Sequence, residues 1–405
     1  MPRRLALFHT MDPRGDKLGG IETHVRLMLA RHPADIELLF VGIDERGDCP
    51  LGRVTPIMCD GRTIAFLPVA RIPSDRINLA AKRVFQSTTL RYALGLVRHL
   101  PALRRALRGQ AASGEIERYE FAAIPKLLRL PFVLLVHNEG TKDDKMDSLL
   151  KRYWFLHQWN ERWALALADS VFAVNEAIAR HVERVAPSHA RKTAVMSVSV
   201  DTERFVPTPF PASDDAFHVC FAGRLDDFKD PPLMFATLAK LAARLEATPV
   251  GRFRRVVFDY VGASDSQRFA EFAGIERFTV RHGPRKAAEV AALMARAHAG
   301  IITSFFEGMP CYLLEMLASG RPVGAIALPQ FSRLILPGYS GTLVERQPEP
   351  EASAEKLAEA FVGIARAIDE GRLDPAAMAA LVAPYSVESQ MGRLFACHAA
   401  LATQR

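Results

Sequence analysis

The chain has 405 residues, 49% of them hydrophobic and 24% charged, with a net charge of +7. That length exceeds one ordinary core and suits two domains of roughly 200 residues each, and the composition excludes a disordered or low-complexity chain. Five scattered cysteines without Cys-x-x-Cys spacing exclude a disulfide framework and a zinc site, and no run of about 18 uncharged apolar residues is present to span a membrane.

In chain order, MPRRLALFHT has a basic start and an apolar run too short for a signal peptide, so it reads as a first strand. The reading that follows is a protein of a reducing cytoplasm, attached at most to a membrane surface. DIELLFVGI, TIAFLPVA, FVLLVH and SVFAVN are further strands of the first half, with helical patterns in GGIETHVRLMLARH and SLLKRYWFLHQWNERWALALA. Residues 71–109 carry nine Lys or Arg against Asp75 alone, a net of +8 that leaves −1 for the rest. Leu90, Leu94, Val97, Leu103 and Leu107 interleave with those charges at helical spacing, with a break near Pro101. This pattern fits an amphipathic helix on an anionic membrane surface; its alternative is the solvated outer face of a core helix. Nucleic acid is not expected, because no binding motif or interleaved aromatics accompany the charge.

In the second half, HVCFAG, VVFDYVG, FTVRHG, AGIITS and PVGAIAL read as strands, alternating with helices such as PPLMFATLAKLAARL and AAEVAALMARA. The rhythm predicts an α/β protein of two doubly wound, Rossmann-like domains. Pro207, Pro209 and Pro211 mark a linker, which divides the chain into 1–206 and 207–387. A terminal helix over 388–405 is expected to pack back on the first domain.

Ligands of such sheets lie beyond the carboxyl ends of the strands. Gly19 and Gly20 precede a helix there and can bring backbone N–H groups to an anion. His137 ends a strand, where it can bond a polar ligand. Arg224 and Lys229 follow another and suit a diphosphate. Glu307 and Glu315 flank a tight turn and helix start at Gly308, Met309 and Pro310, and carboxylates so placed can accept from ligand hydroxyls.

Gly-Gly after strand one, His137 after a mid-domain strand, G-R-x4-K at Arg224 and Lys229, then E-x7-E at Glu307 and Glu315 followed by ASGRPV, together resemble the retaining glycosyltransferases of family 4. The resemblance runs through the whole chain and implies the GT-B fold, two such domains facing each other across a cleft. It implies that Arg224 and Lys229 hold the diphosphate of a nucleotide sugar, UDP- or GDP-linked. Glu307 would contact the sugar, Glu315 the ribose, Gly20 the distal phosphate, and His137 the reacting centre. Gly262, Arg281, His282 and Gly283 would border the base, and Met309, Pro310, Cys311 and Tyr312 would lie along the sugar and phosphates. Arg118, in EIERYEF, would line the side of a glycan or lipid-linked acceptor.

No Asp-x-Asp occurs, which suits a metal-independent reaction without cofactors. The chain departs from the family pattern at Arg333, where an acidic residue is common, and at Asn138 and Glu139, where small residues are. A GT-B epimerase, a phosphorylase and a non-catalytic docking scaffold are the rival readings.

Overall fold

The computed structural model describes residues 3–15, 17, 20–59, 61–77, 87–137, 154–212 and 215–403, without the side chains of residues 20 and 154–157. It divides into two compact units, Met1–Val198 with Val387–Arg405, and Ser199–Ser386.

The first unit is built on an eight-stranded sheet of order β3-β4-β2-β1-β5-β6-β7-β8 among the described residues. Its strands are β1 Arg3–Phe8, β2 Ile36–Asp44, β3 Thr55–Cys59, β4 Arg62–Arg71, β5 Ala112–Ile116, β6 Phe132–Val136, β7 Ser170–Ala173 and β8 Thr193–Val195. All pairings are parallel except β3 with β4. Helices cover a parallel sheet on both faces, which is why its central strands read as unbroken apolar runs. β1 shows this with Leu5, Ala6, Leu7 and Phe8, all buried.

The strand β5 is the exception: its sequence is ASGEI, and every residue of it is buried. Ser113 and one oxygen of Glu115 are met by His398, on the C-terminal helix Val387–Thr403. Ser113 Oγ lies 3.1 Å from His398 Nδ1, and His398 Nε2 lies 2.7 Å from Glu115 Oε2. The terminal helix thus belongs to the first unit, and its imidazole is what allows a polar strand in the middle of the sheet.

Within the basic segment, Arg71 ends β4 and the described helices are Ser74–Ile77, Thr88–Arg98 and Leu100–Leu107. The break falls between Arg98 and Leu100, with proline at the start of the second long helix, where a missing N–H costs no bond. One face of Thr88–Arg98 packs on the sheet: Tyr92 donates to the Val41 carbonyl at 2.6 Å. The same helix leaves Leu94 and Val97 60% and 61% exposed on its outer face.

The second unit holds a six-stranded, all-parallel sheet of order β11-β10-β9-β12-β13-β14. The strands are β9 Ala216–Ala222, β10 Arg255–Val261, β11 Thr279–Arg281, β12 Ala299–Ile302, β13 Val323–Ile326 and β14 Gly341–Val344. The proline segment expected as a linker is instead fastened into this unit. Arg321, fully buried, donates to the carbonyls of Thr208 at 2.7 Å and Pro209 at 3.1 Å, and its guanidinium lies over the Phe210 ring. A buried cation whose two terminal nitrogens are bonded to this stretch makes it part of the unit's wall.

Candidate functional site

Two groups of polar residues lie at the carboxyl ends of the two sheets, and each is described within its own unit. In the second unit, β9 leads through Gly223 to a short 3-10 turn, Asp227–Lys229, and then to the helix Pro231–Ala247. Asp230 caps that helix from a left-handed backbone (φ 52°), with prolines at its first positions. Its carboxylate also receives Arg346 Nη1 at 2.6 Å, while Arg346 Nη2 donates to the Thr303 carbonyl beyond β12. Thr303 Oγ1 returns a bond to the Lys229 carbonyl at 2.7 Å. The loops after β9 and β12 are therefore locked to each other through backbone contacts and one ion pair.

That lock brings Lys229 and Glu307 together, with Nζ 3.0 Å from Oε1. Ser304 Oγ donates to the same oxygen at 2.8 Å, and Gln330 donates to the Glu307 carbonyl at 2.7 Å. The Lys229 ammonium also lies 5.2 Å from the centre of the Phe228 ring. Arg224, by contrast, is turned toward Asp226, Nη2 to Oδ2 2.9 Å, on the exposed side of the loop. Glu307, Gly308, Met309 and Pro310 are half-buried, and the helix Cys311–Ala318 starts after them without a side-chain cap.

The expectation for Cys311 and Tyr312 needs a correction at the level of side chains. The Tyr312 hydroxyl donates to the Cys220 carbonyl at 2.5 Å and accepts from Ile301 N–H at 3.1 Å, so it is spent between β9 and β12. The Cys311 side chain is likewise buried, and burial pushes its thiol far up. At these two positions only the backbone is left to meet a ligand. Glu315, one turn further on, is half-buried, and burial pushes its carboxyl up to about 7 against the pull of Arg204.

Gly262 and Gly283 meet in the neighbouring loops, Gly262 N–H donating to the Gly283 carbonyl at 3.1 Å. A Cβ on Gly262 would come within 2.3 Å of the Gly223 carbonyl oxygen, so the close approach requires glycine there. His282 Nε2 lies 2.7 Å from Asp259, whose other oxygen takes His218 at 2.9 Å. Burial would raise this carboxyl, but the two imidazoles prevail and hold it below its usual range. Arg281 is exposed at the end of β11.

In the first unit, Gly20 opens the helix Gly20–Arg31, and Gly19, Asn138 and Glu139 lie outside the described residues. His137, directly after β6, has Nε2 3.1 Å from Glu117 Oε2. Arg118 bonds Thr89 Oγ1 through Nη1 at 3.4 Å. Beside them Lys17 pairs with Glu22 at 3.0 Å and donates to Thr10 Oγ1 at 2.7 Å. The pair holds Glu22 down to about 2 although burial opposes it. Sequence reasoning missed Glu117, Asp230 and Arg346; an aspartate before Pro-Pro is a helix-cap signal that could have found Asp230.

Among the described residues, Asp44, Asp48 and Cys49 come within mutual reach of a metal ion. Arg14 already fills that cluster, 2.8 Å from Asp48 and 2.9 Å from Asp12.

Residues 216–362 match the family model described as glycosyl transferases group 1. The chain is similar in structure to the sucrose-phosphate synthase of Thermosynechococcus elongatus, at a TM-score of 0.70 and 18% identity over 98% of this chain and 99% of that one. HepE of Anabaena, in complex with UDP and glucose, matches at a TM-score of 0.66 and 15% identity over 98% and 100%. The fold is GT-B. Among curated proteins, a D-inositol 3-phosphate glycosyltransferase of Paenarthrobacter aurescens is 31% identical over 166 residues, 39% of each chain. The GT-B chain spans less than half the length of the first curated relatives, 31% to 48% of each.

Proposed function

We propose that this GT-B chain is a retaining, metal-independent glycosyltransferase of family 4 that moves a sugar from a UDP- or GDP-sugar to an acceptor hydroxyl. The observation that carries the reading is the Lys229–Glu307 pair, fixed at 3.0 Å beside the uncapped start of helix Cys311–Ala318. When a nucleoside diphosphate leaves, negative charge grows on its distal phosphate. A preformed ammonium and a helix N-terminus answer that charge without reorganisation. Glu307, already accepting from Lys229 and Ser304, has lone pairs left for sugar hydroxyls, and in this reading Glu315 takes the ribose. Arg224 is on a flexible side chain and turns from Asp226 to the diphosphate when the donor binds. The named relatives support a donor of this class: HepE is described with UDP and glucose, and the curated relatives are named for a glycosyl transfer.

The acceptor in this reading is a glycan precursor or lipid-linked polyol, held by the first unit. Contact with an anionic membrane is supported by the exposed Leu94 and Val97 beside exposed Arg91, Arg98, Arg104 and Arg105. The test is turnover of UDP- and GDP-sugars in the presence of a chelator, with the anomeric configuration of the product read by proton NMR. Retention without added metal is expected; inversion, or activity only with a divalent ion, overturns the reading.

A further inference from the structure

The first unit's sheet ends in polar atoms that no described residue satisfies. His9 Nδ1, both ring nitrogens of His24, His137 Nε2 and both carboxyl oxygens of Glu117 are buried without a hydrogen-bond partner. Buried polar groups are bonded in the great majority of cases, so this concentration calls for a partner from outside. Different elements contribute it: His9 follows β1, His24 lies on helix Gly20–Arg31, Glu117 follows β5 and His137 follows β6. Glu117 Oε2 and His137 Nε2 are 3.1 Å apart but out of line for a bond, and the His24 ring lies 6.2 Å from that of His137. Of the flanking charges, Lys17 pairs with Glu22, Glu115 bonds His398 through one oxygen, and Arg118 bonds Thr89 through Nη1 while its Nε is left unbonded.

We propose that Glu117 is the residue that reads a hydroxyl of a polyol acceptor, donating from one carboxyl oxygen as a neutral acid and accepting at the other, beside His137 and His24. The proposal rests on the glycosyl-transfer reading only for the word acceptor. Burial first, then the Glu115 and Glu22 carboxylates, push Glu117 well above the carboxylate range, against Arg118 and Lys17. Burial also holds His24 and His137 neutral, each brought down to about 4. Each of these shifts favours the uncharged form, which offers donors and acceptors matched to the hydroxyls of a sugar or cyclitol. An ionised Glu117 would be acceptor-only and would suit a general base instead.

Glutamine reproduces the donor and acceptor of a neutral acid, and alanine removes both. The experiment compares wild type, Glu117→Gln and Glu117→Ala by two readouts that need neither nucleotide nor turnover. The infrared difference between wild type and Glu117→Gln at pH 7 should show a protonated carboxyl band. Titration with myo-inositol or D-glucose, followed by the 15N signals of His24 and His137, should give a Kd unchanged within about threefold in Glu117→Gln and about tenfold weaker in Glu117→Ala. If Glu117→Ala does not fold, Glu117→Leu keeps the volume and is read the same way. An absent carboxyl band, no shift with either polyol, or unchanged binding in the apolar variant overturns the proposal. A failure of nucleotide-sugar turnover leaves these readouts standing, so the two failures are told apart.

Discussion

The carboxyl ends of the two sheets treat their polar side chains in opposite ways. In the second unit three sets are already paired, Lys229 with Glu307, Asp230 with Arg346 and Asp259 between His218 and His282, while the Glu315 carboxyl is pushed up by burial. In the first, beside the charged Lys17–Glu22 pair, Glu117, His24 and His137 are buried with polar atoms left unbonded among the described residues. A paired ion can exchange its partner for a ligand charge at small cost, because desolvation has been met within the fold. An unpaired neutral group gains a whole bond when a hydroxyl arrives. In the proposed reaction the second unit would meet a diphosphate and the first a polyol.

The comparison can be broken first at β5 of the first unit. His398→Ala would leave Ser113 and Glu115 without their buried hydrogen-bond partner and should cost about 3 kcal/mol. All three tryptophans, Trp154, Trp159 and Trp163, lie in this unit, so their fluorescence during urea unfolding reports on it alone. Next is Lys229→Ala, which removes the preformed cation and should lower turnover by about a hundredfold or more, with little change in the melting of the fold.

Glu315 sharpens the contrast by its pH dependence. Its folded-state value of about 7 stands above the ordinary 4.5, so the native state holds the proton more tightly than the unfolded one. Its stabilising contribution is complete below the ordinary value and is lost as pH rises through 7. Wild type should therefore lose about 2 kcal/mol relative to Glu315→Gln between pH 5 and pH 8, measured by calorimetry. The smallest effect is expected at the surface: Arg98→Ala should weaken binding to anionic vesicles about fivefold and leave binding to neutral ones unchanged, in a flotation assay.

The apolar strands were legible because each is a run of residues whose side chains are buried on both faces of a parallel sheet. β5 was not, since ASGEI has no apolar run and depends on an imidazole from the other end of the chain. The same reason hid Glu117, which directly follows that strand, while the neighbouring Arg118 was named only through the family resemblance. Lys229 and Glu307 were legible as residue types after strands, but the loops' fastening by Arg346 comes from a polar stretch after β14 without pattern. Tyr312 was read toward the ligand because it follows Glu307 in sequence. The helix beginning at Cys311 turns that ring into the sheet.

The most direct measurement is calorimetric binding of UDP and GDP, with chelator present, to wild type and to Lys229→Ala. We expect one of the two nucleotides to bind wild type without metal and to bind Lys229→Ala at least about tenfold more weakly. Equal binding to both proteins, or binding of neither nucleotide, would contradict the assignment of the second unit's paired charges to a diphosphate.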